Sequence, residues 1–337
     1  MIRTIDYYPY NQKKVIHNNS VAEVETYLTN FWNRPAVLLG SARAGIFQIL
    51  NFFKFSRQDN ILVPKFLCQS ILNIINTSGF PVKQIDSGTK AVLVHHQWGY
   101  PQKMDEVLAK AREYNLIVIE DCVHSFDSKY KGQHIGSFGD VAIYSFSKCF
   151  QTYTGGVVST ANKELVEYVR RSLKSVSQIK NSLFNFFSFI ITKKYFDKGI
   201  HSFWFDWVYS KSIDFPNIGI KTLKLLPSSS EEFKQGLKRR KKNYLFFKER
   251  LKSEYLLADQ DQDIEVNPWC VPVFLPEDML AKAQVKLNNL GVLTEILHFD
   301  LNRNIFDSKY QRCLALPCHQ QLEEKKLEEI CCVINSF

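Results

Sequence analysis

The sequence predicts an α/β fold, a large domain built on a mainly parallel sheet followed by a smaller C-terminal α+β domain. Three observations predict it. Wholly apolar runs such as Ala91-Val92-Leu93-Val94 and Leu116-Ile117-Val118-Ile119 suit strands buried on both faces. From residue 36 to 160 such runs alternate with helical stretches that carry one apolar face, the pattern of a sheet wound through right-handed crossovers. Beyond residue 227 the order changes to one long helix and then mixed strands and helices. With a length of 337 residues, this divides the chain into domains 1–227 and 228–337.

In chain order, residues 1–14 form a polar arm without the apolar core of a signal peptide. A helix follows over 20–32, with Val24, Leu28 and Phe31 at helical spacing. A short strand at Val37-Leu38-Leu39 enters a small-residue turn, Gly40 to Gly45, and a helix then begins with Ile46, Ile49 and Phe53 on one face. Such a turn can receive a phosphate on backbone N–H groups, although the same pattern also serves plain packing. Strands are expected at 61–64, 91–99, 116–119, 141–146 and from Gly155-Gly156 onward, with helices at 66–75 and 104–114. A helix starts at Ser228 to Glu231 and runs to Leu251; strands at 269–274 and 314–317 and helices at 276–290 and 323–337 complete the chain.

The stretch 116–160 carries the chemistry. Asp121 stands at the end of a buried strand, where open α/β sheets bind ligands, though a helix N-cap would look the same. Lys148 follows the next strand, with Ser145 three residues before it. An ammonium is costly to bury, and a lysine there suits a desolvated nucleophile better than the surface role most lysines have. One arrangement explains the set: pyridoxal phosphate (PLP) held covalently by Lys148, with Asp121 at its ring nitrogen.

At these residues the sequence resembles the DegT-type sugar aminotransferases, a family of fold-type I PLP-dependent enzymes. The resemblance runs through Ile119-Glu120-Asp121-Cys122-Val123-His124, Gly136-Ser137-Phe138-Gly139-Asp140, Ser145-Phe146, Lys148 and Gly155-Gly156-Val157-Val158. It extends to a VHxxG-like segment ending at Gly99, an RRxxN pattern at Arg239 to Asn243, and LxLPxH at Leu314 to His319. It covers most of the chain and is thinnest over 175–227.

The resemblance implies roles. Lys148 would hold the cofactor and then act as general base and acid. Asp121 would pair with the pyridine nitrogen, and His124 would bond or pack near the phenolic oxygen. Ser145 and the turn at Arg43 and Ala44 would take the phosphate, Arg43 standing where the family often has Thr or Ser. Cys68 stands where an aromatic residue commonly stacks on the ring, with Phe66 as a substitute. Only Ser147 separates Phe146 from Lys148, and Tyr153-Thr154-Gly155-Gly156 replaces the frequent GEGG, departures that suit a divergent member. The implied reaction moves an amino group, from glutamate, to a keto-sugar on a nucleotide diphosphate, for a cell-surface glycan such as lipopolysaccharide or a secondary metabolite. A homodimer is implied. The alternatives are elimination, which Lys148 disfavours because related dehydratases carry histidine there, and a silent relative that binds a membrane or partner.

A formal charge of +9 suits anionic ligands. The run Lys238 to Lys242 reads as the solvated face of a helix, and no nucleic-acid motif accompanies it. The eight cysteines show no metal-ligand spacing and read as reduced thiols of a cytoplasmic protein; no metal site is expected. Leu183 to Ile191 and Phe203 to Trp207 are strongly apolar. They are too short to span a bilayer, and they read as buried at a subunit contact or beneath the small domain in preference to lying on a membrane.

Overall fold

The apolar runs pair side by side into one seven-stranded sheet. Its strands are β1 (Ala36–Leu39), β2 (Asn60–Leu62), β3 (Phe80–Val82), β4 (Thr89–His95), β5 (Ile117–Asp121), β6 (Val141–Ser145) and β7 (Gly156–Ser159), in the spatial order β1-β7-β6-β5-β4-β2-β3. All neighbours from β6 to β3 are parallel, and β7 runs antiparallel between β6 and β1. The mainly parallel sheet expected from the sequence is present. Every residue of β1, β6 and β7 is buried, which is why these strands read as unbroken apolar runs. The computed structural model describes residues 2–3, 16–150, 152–198, 202–257 and 263–337, so most of the expected N-terminal arm lies outside the described residues.

Helices α1 (Val21–Trp32), α2 (Ala42–Phe52), α3 (Gln69–Ser78), α4 (Met104–Glu113), the single turn α5 (Phe146–Cys149) and α6 (Lys163–Ser175) surround the sheet. The segment of thinnest resemblance folds into α7 (Gln178–Lys198), α8 (Ser202–Lys211) and α9 (Ile220–Leu223). Then α10 (Ser230–Arg250) leads to a second sheet of β8 (Cys270–Val273), β9 (Ile296–Asp300) and β10 (Tyr310–Pro317), all antiparallel, with helices α11 (Glu277–Asn289) and α12 (Glu324–Asn335). Its core gathers Phe247, Val271, Phe299, Leu314 and Ile330, and Trp98 and Tyr100 from the β4 side join the same cluster. Strand β9 had no counterpart in the sequence reading. Its residues Ile296, Leu297 and His298 are only half-buried, so it lacks the apolar run that marks the others.

Several boundaries differ from the sequence reading: the strand expected over 91–99 ends at His95, the helix expected over 66–75 is Gln69–Ser78, and two further differences shape the site. Helix α2 begins at Ala42, inside the expected turn, because Ser41 caps it with a hydroxyl that accepts the Ala44 N–H at 3.2 Å. The strand expected over 141–146 stops at Ser145. Phe146 N–H bonds the Gly155 carbonyl at 3.0 Å and its ring packs among Phe126, Phe150 and Phe233, turning the chain into α5. Lys148 therefore stands on a helical turn just past the strand.

The GSFGD turn is clamped from two sides. The buried Glu120 carboxylate accepts the N–H groups of Gly136 (2.7 Å), Phe138 (2.8 Å) and Gly139 (2.6 Å), and His96 Nε2 at 3.0 Å. From the other side the Arg34 guanidinium donates to the carbonyls of Gly136, Gly139 and Asp140. Because His96 Nδ1 accepts the Gln102 N–H, its proton sits on Nε2 and points at Glu120. Cys122 lies close to His96 and Glu120, and the latter two form the hydrogen-bonded anchor of the turn.

Burial pushes the Glu120 pKa up, but the bonds from His96, Gly139 and Gly136 outweigh it and hold the carboxyl below its usual value. A group with a depressed folded pKa stabilises fully above its unfolded value and loses that contribution as pH falls through the folded one. Glu120→Gln should thus cost about 3 kcal/mol or more at neutral pH, since it sets an amide N–H₂ against amide donors. Urea denaturation across pH should show the difference from wild type shrinking on the acid side.

Candidate active site

The sheet register lines up the expected residues along one edge. At the carboxyl ends of β4 and β5, His95 pairs with Asp121 across the ladder; next to them β6 ends at Ser145, which faces Gly156, and Gly156 faces Leu39 at the entrance to the α2 turn. This is the crevice position where parallel sheets bind ligands. Asp121 is almost fully buried. Its Oδ2 accepts His95 Nδ1 at 3.0 Å and its Oδ1 accepts the Val123 N–H at 3.2 Å, so the carboxylate is fixed in orientation.

A chain of ring contacts leads from this carboxylate to the lysine. The His95 and His124 rings meet edge to face at 5.0 Å, His124 stacks on Trp269 at 4.4 Å and 6°, and Lys148 Nζ lies 4.7 Å from the centre of the Trp269 ring. Trp98 holds two of these partners by its backbone. Its N–H donates to His124 Nδ1 at 3.2 Å and its carbonyl accepts the Trp269 N–H at 2.8 Å. To do so Trp98 takes a left-handed conformation, φ 56°, which is unusual for a bulky residue and marks a constrained position. Burial, then the nearby His95, Lys148 and Arg240, push the His124 pKa well below its ordinary value. The ring is neutral, and with Nδ1 accepting it carries its proton on Nε2.

Arg240 fixes the lysine's turn. Almost fully buried, its guanidinium donates to the carbonyls of Lys148 and Cys149 (both 3.3 Å), Pro268 (3.4 Å) and Trp269 (3.1 Å), and to Gln320 Oε1. The basic run was read as a solvated face; Lys238, Arg239 and Lys242 are exposed, but Arg240 is not. The available signal was spacing: Phe233, Leu237, Arg240, Tyr244 and Phe247 form the buried stripe of α10. Trp269 was also missed, because it arrives from the C-terminal part across a long sequence separation.

The remaining expected residues lie as follows. Arg43 and Ala44 occupy the first turn of α2, and Ala44 is buried. The Arg43 guanidinium turns to α8, stacking 3.5 Å from the centre of the Tyr209 ring with its Nε 3.3 Å from Ser212 Oγ. Ser145 Oγ is 3.1 Å from Ser147 Oγ. Cys68 is exposed at the start of α3, its thiol 3.1 Å from Ser70 Oγ. Phe66 stacks on His298 of β9 at 4.0 Å and 2°. The ring contacts of Lys148 and His124 thus run to Trp269, while Phe66 packs on the C-terminal sheet.

Comparison with known proteins adds a family. Residues 82–189 match the profile of the DegT/DnrJ/EryC1/StrS aminotransferase family, a stretch that holds Asp121, His124, Ser145 and Lys148. Over that stretch, less than half of its length, the chain is similar to the family. An uncharacterized protein of Methanocaldococcus jannaschii is 32% identical over 166 residues, 43% of each chain. The GDP-perosamine synthase of Escherichia coli O157:H7 is 41% identical over 87 residues, 25% of this chain and 24% of that one. The matched stretches therefore span less than half the length of these curated relatives. Among solved structures, the aminotransferase TlmJ of Streptoalloteichus hindustanus covers 100% of this chain and 98% of its own, with a TM-score of 0.73 and 16% identity. A DegT DnrJ EryC1 StrS aminotransferase of Brucella abortus covers 96% and 91%, with a TM-score of 0.68 and 17% identity. At these identities the likeness is one of fold, and it extends over nearly the whole chain.

The β7 entrance admits only glycine. A Cβ on Gly156 would lie 2.3 Å from Ala42 N and 2.3 Å from the Ser41 carbonyl carbon, so the strand passes directly against the α2 turn. Gly156→Ala should displace that turn and destabilise the fold by about 1–3 kcal/mol; a drop in thermal midpoint checks it.

Proposed function

We propose that the chain is a PLP-dependent aminotransferase that acts on a sugar. The observation that carries this reading is the contiguous set of Asp121, His95, His124, Trp269 and Lys148 beyond the strand ends, beside a helix start suited to phosphate. The residues present fit the cofactor. The first turn of α2 offers the amides of Ala42 and Arg43, which have no intrahelical acceptor, and glycine at 156 keeps the space behind them free of side chain. A buried, oriented carboxylate suits a protonated ring nitrogen, and a neutral histidine with a donor at Nε2 suits a ring oxygen.

Bound PLP would supply an electron sink that lets an amino group leave one carbon and join another. Asp121, braced by His95, would keep the ring nitrogen protonated. Lys148 Nζ would anchor the cofactor at rest and, once displaced by an amino donor, take and return the proton at the substrate carbon. Arg240 would hold the backbone of Lys148 while its side chain moves. The finer reading is a keto-sugar on a nucleotide diphosphate, with glutamate as donor and a homodimer as the working form. It is supported by a curated relative named for a GDP-sugar synthesis and by a solved neighbour of like fold, DesI, described with its TDP-sugar product.

The test is the absorbance spectrum of the purified protein with added PLP, before and after borohydride, for wild type and Lys148→Ala. Wild type should show a band at the edge of the visible that borohydride fixes covalently; Lys148→Ala should not, and its turnover should fall about 10²–10⁴-fold or more. Equal trapping in the variant would sink the lysine assignment.

A further inference from the structure

Helix α7 is turned the wrong way round for a helix facing water. Its inward side carries Asn181, Ser188 and Thr192, all buried, beside Phe184, while Ile179, Leu183, Phe186 and Phe187 point outward, each at least 40% exposed. Their spacing of four, three and one puts them on one stripe. Helix α8 continues the surface: Trp207 meets Phe184 at 6.2 Å and Trp204 at 6.5 Å, and Phe203, Trp204 and Trp207 are all exposed. Exposed Ile220 opens α9, where Lys221 Nζ lies 4.2 Å from the centre of the Phe186 ring. An apolar, aromatic patch of this extent on a protein surface marks a contact.

The charge of the segment says what kind. Over the elements that carry the patch, residues 178–221, there are six basic and three acidic residues, a net of +3. Two copies meeting through this face would bring like charges together, whereas an anionic surface is attracted over the whole segment. Aromatic rings with lysines at the rim sit favourably at the level of lipid headgroups. No helix among the described residues is long and apolar enough to cross a membrane, so the patch would lie on one.

We infer that α7, α8 and the start of α9 dock the protein on an anionic membrane surface. The inner side of the same layer meets the candidate active site: Tyr209 and Ser212 hold Arg43, and a small pocket between them is lined by Ser41, Thr154 and Ser188. Docking would therefore set the α2 turn one helix layer from the bilayer. The inference does not depend on the proposed reaction.

The experiment is cosedimentation of the full chain with phosphatidylcholine vesicles, with and without phosphatidylglycerol, over a series of salt concentrations. The variants are Phe186→Ser/Phe187→Ser/Trp204→Ser and Lys180→Glu/Lys221→Glu, with circular dichroism to show that each is folded. Wild type should bind the phosphatidylglycerol vesicles, weaken as salt rises, and lose about tenfold or more in apparent affinity in each variant. The inference is overturned if wild type does not bind them, or if both folded variants bind as well as wild type. It is equally overturned if vesicles are ignored and the aromatic variant instead abolishes a dimer seen by sedimentation, which would make the face a contact between copies.

Discussion

The buried guanidinium of Arg240 is the interaction on which the site depends. It gathers carbonyls from Lys148 and Cys149 on one side and from Pro268 and Trp269 on the other, joining the large sheet to the C-terminal part at the point where the lysine stands. A buried cation is tolerable only when its charge is compensated, and here backbone carbonyls accept from both terminal nitrogens of the guanidinium. Because the acceptors are main-chain groups, the arginine constrains the path of the chain directly, whatever side chains surround it. Asn243, one turn further along α10, adds bonds to the carbonyls of Cys318 and His319. One face of one helix thus fixes three separate segments.

The large sheet uses the same device at the GSFGD turn, where Glu120 takes amides and Arg34 takes carbonyls. Neighbouring acids on one strand thereby divide their work. Glu120 points to the structural side and is saturated by the turn, while Asp121 points to the crevice and keeps a histidine as partner. Alternation along the strand separates the roles.

Much of this was legible in the sequence, for a physical reason. Strands buried on both faces must be apolar throughout, so β1, β4, β5, β6 and β7 announced themselves, and the residues that end them fell at the crevice. Other features were hidden because they depend on partners distant in sequence or on main-chain geometry. Trp269 reaches His124 from the far part of the chain, Trp98 acts through its backbone, and Arg240 looked like one more charge in a basic run. The aromatic segment showed the same limit. Its composition marked it as a contact surface, but which side of α7 faces outward is a matter of packing, and the outward side proved to be the apolar one.

The antiparallel strand has a consequence for how the lysine comes to be ordered. Ser145 and Gly156 pair across the ladder, so the ten residues between them form a short excursion closed at its base. Closing so short a loop costs little chain entropy, and the penalty grows only slowly with length. The pairing of β6, β7 and β1 therefore places Lys148 near Ser145 and the α2 turn. Trp269 and Arg240 reach the same lysine across a much longer sequence separation, and they restrict a residue that the local ladder already anchors. The strand pairing alone thus keeps the amine at the strand ends, and the walls around it are supplied from elsewhere in the chain.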